Sequence, residues 1–233
     1  MITMILTKNS NEKKPLKKGL FIVFEGIDGA GKTSILKQLL EVLKEPKLVN
    51  KIFLTREPGG KNNNAAEMIR EFFLKNLEVF DPLTLAYLYA SSRAEHVKKT
   101  INPHLEKDHI VISDRFVHSS YIYQGIVQNQ SLDVIYQINQ QAIGELEIDY
   151  VFYFDVNVNN ALNRMKNRFD NTNAFDSQNK QFYEKLLKQY PSVFKVYNQP
   201  KKIIFIDANK NENEVLCEVK EQLLKIFKEH KYI

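Results

Sequence analysis

Directly after the apolar run Leu20 to Phe24 the chain reads Glu25, Gly26, Ile27, Asp28, Gly29, Ala30, Gly31, Lys32, Thr33. Gly26 and Gly31 stand at the spacing that lets successive backbone N–H groups curl toward one phosphate chain. Lys32 then reaches the outer phosphates and the Thr33 hydroxyl is placed for Mg²⁺. A helix-patterned segment follows, so a bound anion would face the positive end of a helix dipole. A plain glycine-rich turn would leave a lysine and a threonine at that helix start unexplained.

More polar groups follow the other apolar runs. Arg56 and Glu57 precede Pro58, Gly59 and Gly60, a stiff turn able to hold an arginine for bidentate phosphate contact. The alternative is a surface turn with a local Arg56–Glu57 pair. Asp114 and Arg115 stand side by side after Ile110 to Ser113, an acid to order Mg²⁺ waters and a base to bridge phosphates, or else a structural ion pair. Ser120, Tyr123 and Gln124, beside Ser119, share one helical face that can read a polar ring. Tyr89 and Arg93 lie one turn apart, an aromatic plate and a five-donor cation suited to a base with a keto oxygen; the bland reading is a core aromatic and a solvated arginine. His96 continues that stripe and reads as structural. Arg164, Lys166 and Arg168 lead into Phe169 and the turn-rich Asp170 to Asn173, either a cationic loop that closes over a cleft and excludes water or a solvated basic helix end.

The elements that must position these groups are legible as short β-branched or aromatic runs: Leu20 to Phe24, Ile52 to Thr55, Ile110 to Ser113, Tyr150 to Asp155 and Ile203 to Asp207. Helix-patterned segments alternate with them, roughly Lys32 to Lys44, Ala65 to Lys75, Pro82 to Thr100, His118 to Gly125, Ser131 to Glu145, Asn159 to Arg168, Gln178 to Tyr197 and Glu212 to His230. This order predicts an α/β fold, a parallel sheet with right-handed crossovers and helices on both faces. Ligands of such sheets bind beyond the carboxyl ends of the strands, which is where the polar clusters fall. No internal repeat is visible.

A chain of 233 residues suits one α/β domain with a small appended lid. Its formal charge of +5 favours anionic partners without choosing among nucleotides, nucleic acid and membrane surface. Lys8, Lys13, Lys14, Lys17 and Lys18 concentrate much of the excess in a leader over residues 1–18, read as a solvated arm with no nucleic-acid role. Cys217 is the only cysteine, which fits a reducing compartment, and the reading is cytoplasmic. No signal sequence or membrane span is expected, and no membrane partner.

Taken together, Phe24 to Thr33, Thr55-Arg56-Glu57-Pro58-Gly59-Gly60, Asp114-Arg115-Phe116 with Ser119-Ser120 and Tyr123-Gln124-Gly125, and Leu88 to His96 resemble the thymidylate kinase family of bacterial type. The resemblance runs from about Gly19 to the last helix. It implies a P-loop kinase fold with a five-stranded parallel sheet, a domain over 19–233 and a lid at about 165–177. It also implies transfer of the γ-phosphoryl of Mg·ATP to dTMP, and a homodimer. By the same resemblance Gly26, Ile27, Asp28, Gly29, Ala30, Gly31, Lys32, Thr33 and Arg164 bind ATP. Asp28, Arg56, Glu57, Pro58, Arg70, Tyr89, Arg93, Arg115, Ser119, Ser120, Tyr123 and Gln124 bind dTMP, with Tyr89 and Arg93 on the base and Tyr123 crowding the ribose 2′ position. Thr33 and Asp114 organise Mg²⁺, and Ile206-Asp207-Ala208 resembles the strand end beside the adenine.

The chain departs from the family at Phe116, where a tyrosine is usual, and at Asn173 and Ala174, where many bacterial members carry an Asp-Arg pair in the lid. Lys32, Asp114 and Arg115 are then the expected catalytic groups, joined by Arg168, since a cation on the transferring phosphoryl is worth orders of magnitude in rate. Two rivals remain. A deoxynucleoside kinase would share the cradle but has less use for Arg56, Arg70 and Arg115. A GTP-binding switch would use Asn209-Lys210-Asn211-Glu212, yet Glu212 stands where the guanine-reading motif wants aspartate.

Overall fold

The computed structural model describes residues 18–43, 45–166, 180–197 and 199–233. The arm read over residues 1–18 lies outside them apart from Lys18, and so do positions 167–177 of the expected lid, with Arg168, Asn173 and Ala174.

The near-continuous apolar run at the start of the domain forms β1 (Leu20–Glu25), buried along its whole length, as befits a central parallel strand covered on both faces. The chain continues through α1 (Lys32–Val42), β2 (Ile52–Arg56), α2 (Asn64–Leu74), α3 (Pro82–His96), α4 (Asn102–Glu106) and β3 (Ile110–Asp114). It then makes α5 (Val117–Ser120), α6 (Leu132–Ile143), β4 (Tyr150–Asp155), α7 (Val158–Lys166), α8 (Lys180–Val196), β5 (Lys202–Asp207) and α9 (Glu212–Glu229). The strands pair in parallel in the order β2-β3-β1-β4-β5, the five-stranded sheet expected from the apolar runs. α1 packs on α9, whereas α3 packs on α6 and α5 on α8, so helices sheathe both faces.

Register sets the site. Phe24 lies opposite Asp114 and Asp114 opposite Arg56, so three strands end at one level. β2 and β3 flank β1 on one side, β4 and β5 on the other, and the chain switches sides at β1. The crevice opens at such a switch point.

Two helices differ from the periodicity. The single helix expected over Pro82 to Thr100 widens at Val97–Ile101 into π geometry before α4. Asn102 N–H reaches back to the Val97 carbonyl, and the wider turn accommodates Pro103, which has no N–H to continue the ladder. The helix expected over His118 to Gly125 is α5 followed by π geometry over Tyr121–Val127.

Helix starts follow sequence closely. Asn63 Oδ1 accepts from Ala66 N at 3.0 Å to cap α2, and Asn211 with Glu214 closes a capping box on α9. Only backbone begins α1: Gly31 at φ +93° supplies no side-chain cap.

At the opposite end of the sheet Asp149 fastens three strands. Its buried carboxylate accepts from Phe21 N at 2.8 Å and from Lys201 Nζ at 2.8 Å, tying the starts of β1 and β5 to β4. Asp149→Ala strands a buried N–H, and we expect it to lower unfolding free energy by about 2 kcal/mol in urea titration. A loss under about 0.5 kcal/mol, the size of an ordinary surface change, would contradict this anchoring.

Candidate active site

The cradle forms as the glycine spacing requires. Gly26 and Gly29 take φ of +145° and +79°, and a Cβ on Gly29 would stand 2.4 Å from the Ala161 carbonyl oxygen, so only glycine fits. Lys32 Nζ folds over the loop and donates to Gly26 O and Ile27 O, both at 2.9 Å. Thr33 Oγ1 donates to Asp114 Oδ2 at 2.6 Å. Among the described residues the other, buried Asp114 oxygen has no hydrogen-bond partner, which suits a hydrated cation. Arg164 leans over the loop from α7, its Nη1 3.9 Å from where a Cβ on Gly31 would be, and donates to Lys210 O.

Arg115 sits at φ +69°, a left-handed conformation that costs a non-glycine residue roughly 1–2 kcal/mol. Its N–H bonds to Phe24 O at 2.9 Å and its carbonyl accepts from Ser113 Oγ at 2.8 Å. Held so, its guanidinium bonds Asp28 and the Ser119 hydroxyl and lies 5.4 Å from the Tyr123 ring centroid. Tyr123 Oη donates to the second Asp28 oxygen at 3.1 Å.

These groups border two connected spaces. The smaller lies over the cradle, lined by Asp28, Gly29, Gly31, Lys32, Thr33, Arg56, Glu57, Asp114 and Arg115. The larger, about 280 Å³, is lined by Asp28, Arg56, Glu57, Pro58, Arg70, Tyr89, Arg93, Arg115, Ser119, Ser120, Tyr123 and Gln124, with Thr33, Leu74, Leu77 and Phe116. Every residue expected on the acceptor side thus meets in one cavity. Tyr123 and Gln124, in the π-helical turn, face it alongside Ser120.

Pairing within the cavity differs from the local Arg56–Glu57 alternative. Arg56 bonds Pro58 O at 2.7 Å and Glu67 Oε2 at 2.9 Å, while Glu57 is buried and takes Arg93 Nε at 2.7 Å. Arg93 is likewise buried, not the solvated residue of the bland reading, and further bonds Ser120 Oγ and Asn139 Oδ1. The Tyr89 ring packs 4.4 Å from Phe73 and still borders the cavity.

Sequence reasoning missed Glu25, Glu67 and Asn139. Glu25 is fully buried and accepts from Phe116 N, Ser119 N and Ser119 Oγ, fixing the turn that carries Arg115. Its position just before the first loop glycine was the available signal. Glu67 had one as well, three residues before Arg70 on α2. Asn139 had none, since its partner Arg93 is 46 residues away. The guanine-like stretch has a structural role: Asn211 caps α9, and Asn209 accepts from Asn157 and Asn160 while bonding Asp207.

Charge is concentrated here. Burial, then the nearby Arg115 cation, pulls the Lys32 ammonium down to about 8, against Asp114, Asp28 and Glu25. Burial raises the Glu25 carboxyl despite Arg115. Burial also pushes Asp28 upward, but Arg115 and Lys32 outweigh it and hold that carboxyl below its ordinary range. Burial lifts the Tyr89 phenol to about 12.

The parallel sheet, the glycine cradle with its lysine, and the adjoining cation-lined cavity define a P-loop kinase. A family model described as thymidylate kinase matches residues 24–219. The chain is 38% identical over 214 residues to the thymidylate kinase of Mycoplasma mobile, covering 90% of this chain and 100% of that one. It is 37% identical over 212 residues to that of Bacillus velezensis, with 86% and 98% covered. The crystal structure of thymidylate kinase from Ehrlichia chaffeensis superposes with a TM-score of 0.67 at 31% identity, covering 88% of this chain and 98% of that one. The chain belongs to the thymidylate kinase family.

Lys32 carries its charge only below about pH 8 in the empty protein, so a triphosphate binding above that pH must bring a proton with it. We expect affinity for a non-hydrolysable triphosphate to fall by up to about tenfold per pH unit above 8, with proton uptake in calorimetry run in two buffers. Affinity flat from pH 7 to 9.5 would show that Lys32 stays charged without ligand.

Proposed function

We propose that the protein phosphorylates dTMP to dTDP with ATP, the triphosphate over the cradle and the monophosphate in the larger cavity. The observation that carries this reading is the distribution of charge along that cavity. Arg56 and Arg115 border both spaces, beside Lys32 and Thr33, while Arg70, Tyr89, Arg93, Ser120 and Gln124 line only the larger one. A neutral sugar needs no such cluster of guanidinium groups, and a 5′-phosphate does.

In-line transfer requires positioning and charge neutralisation more than covalent help. An oxygen of the dTMP phosphate forms the new bond to the γ-phosphorus as the bond to the β,γ-bridging oxygen breaks, leaving ADP. The attacking oxygen is already deprotonated, so no general base is needed. Lys32 and the loop amides hold the donor, Arg115 bridges the two anions, and Arg56 and Arg70 grip the acceptor. Thr33 Oγ1 and Asp114, whose Oδ1 has no partner among the described residues, would hold Mg²⁺, which would supply shielding of the phosphate charge. Arg164 and Arg168 are the cations available to the transferring group, the latter from the segment read as a lid. Stacking on Tyr89 and donation from Arg93 select the base, and Tyr123, bonded to Asp28, crowds the ribose 2′ position.

The working unit in this reading is a homodimer. α3 and α6 pack together and present Tyr87, Ala90, Ala94, Tyr136 and Ile138 along one groove, with Tyr87 54% exposed. A second copy of the same face would cover it. No helix among the described residues is long and apolar enough to cross a membrane. Both substrates are cytoplasmic solutes, and the reading puts the protein with them.

Three measurements test this reading. In a coupled assay with ATP, dTMP should be the preferred acceptor over dUMP, thymidine and dGMP, and preference for thymidine would replace the reading with a nucleoside kinase. Lys32→Ala should lose at least about a thousandfold in kcat with an unchanged circular dichroism spectrum. In sedimentation the protein should run at twice its 27.2 kDa chain mass, and Tyr87→Lys should shift it toward the single chain; a monomeric parent sinks the homodimer.

A further inference from the structure

Arg93 is held in place by a chain of buried groups that starts on the far side of the acceptor cavity. Lys61 N–H donates to Thr55 Oγ1 at 3.2 Å, and Thr55 Oγ1 lies 2.7 Å from His96 Nε2. His96 Nδ1 lies 3.1 Å from Glu57 Oε1, and Arg93 Nε donates to Glu57 Oε2 at 2.7 Å. A carboxylate only accepts, so the imidazole hydrogen belongs on Nδ1, and Nε2 then accepts from the Thr55 hydroxyl. In this assignment every group is satisfied, and the donors from His96 on one side and Arg93 on the other converge on the Glu57 carboxylate. His96 has no exposed surface, and the backbone of Gly60 presses on its ring so closely that a Cβ there would lie 2.4 Å from Cδ2. The ring is therefore fixed in the tautomer and orientation its neighbours demand.

At the far end Arg93 Nη1 is committed to Ser120 and Asn139. Nε is committed to Glu57, and Nη2 has no hydrogen bond among the described residues, on a side chain that borders the cavity. We propose that His96 is a positioning residue for base selection: through Glu57 it aims the free Arg93 nitrogen at the carbonyl on C4 of a pyrimidine. The aim is set from β2, the strand whose end carries Arg56. An acceptor with an amino group at that position would bring donor against donor, so the relay bears on keto-versus-amino discrimination. The inference rests on Arg93 as base reader.

Four variants test it through the KM for dTMP, the KM for ATP, kcat, and the ratio of dTMP affinity to the inhibition constant of dCMP. His96→Asn keeps an N–H where Nδ1 stood, whereas His96→Gln places its amide toward Thr55 and abandons Glu57. His96→Gln should raise the KM for dTMP about tenfold and lower dTMP-over-dCMP discrimination about as much, the size of one misplaced buried hydrogen bond. The KM for ATP and kcat should stay within about twofold, and His96→Asn should restore the KM for dTMP to within about threefold of the parent. Thr55→Val, close in shape, removes the hydroxyl that faces Nε2 and accepts from Lys61 N–H, and carries the test if the His96 variants do not fold. It should raise the KM for dTMP by about threefold. Equal loss in His96→Asn and His96→Gln with kcat falling alongside, or an unmoved KM for dTMP in His96→Gln or Thr55→Val, overturns the relay. Arg93→Gln separates the two failures. If it leaves the KM for dTMP and the discrimination intact, base reading by Arg93 is wrong; if it moves both while His96→Gln moves neither, only the relay is.

Discussion

The constraint that organises this molecule is the need to keep cations out of water, ready for anions that arrive later. Lys32, Arg93 and Arg115 are shielded by the fold, and a buried charge without compensation is costly. Each is met by carboxylate or carbonyl oxygens from a different part of the chain: Lys32 by the loop carbonyls, Arg93 by Glu57, Arg115 by Asp28. Those partners lie close because parallel strands bring the ends of β1, β2 and β3 to one level. Without that register the cations would be in solvent, where their pull on a phosphate is weak.

The backbone does comparable work. Gly31 begins α1 with no side-chain cap, whereas α2, α3 and α9 take theirs from Asn63, Asp81 and Asn211. The α1 start, which like those of α4, α5 and α6 has no side-chain cap, faces the proposed triphosphate, whose oxygens would accept where a capping side chain otherwise does. The left-handed Arg115 and the π geometry over Tyr121–Val127 are likewise local departures from ideal backbone, and both occur where side chains border the acceptor cavity.

Most of this was legible in the chain because its signals are local. The strands are short apolar runs bounded by polar residues, and the cradle is contiguous. Strand boundaries accordingly agree within a residue, and Tyr89, Arg93, Ser120, Tyr123 and Gln124 converge as the family resemblance implied. What escaped was pairing across distance. Glu57 beside Arg56 suggested a local pair, yet opposite faces of the turn send Glu57 inward to Arg93 and leave Arg56 to Glu67. Periodicity likewise extended the helix through Thr100, because a π turn leaves no mark on apolar spacing beyond a proline that follows it.

Charge pairing in the empty site also bears on how the proposed reaction proceeds. Asp28 is shared by Arg115 and Tyr123, and Arg115 alone among the site cations is held in strained backbone at the junction of both cavities. A phosphate between the two spaces competes with Asp28 for the same guanidinium. That exchange gives the guanidinium one anionic partner for another, and Tyr123 remains to satisfy the carboxylate that is released. The strain in Arg115 is borne by a bond to Phe24 and one from Ser113, neither of which lines either space, so the swap requires side-chain motion with the backbone already in place. Preorganisation of this kind is what an electrostatic mechanism asks of a scaffold, because dipoles that need not reorganise at the moment of transfer add nothing to the barrier.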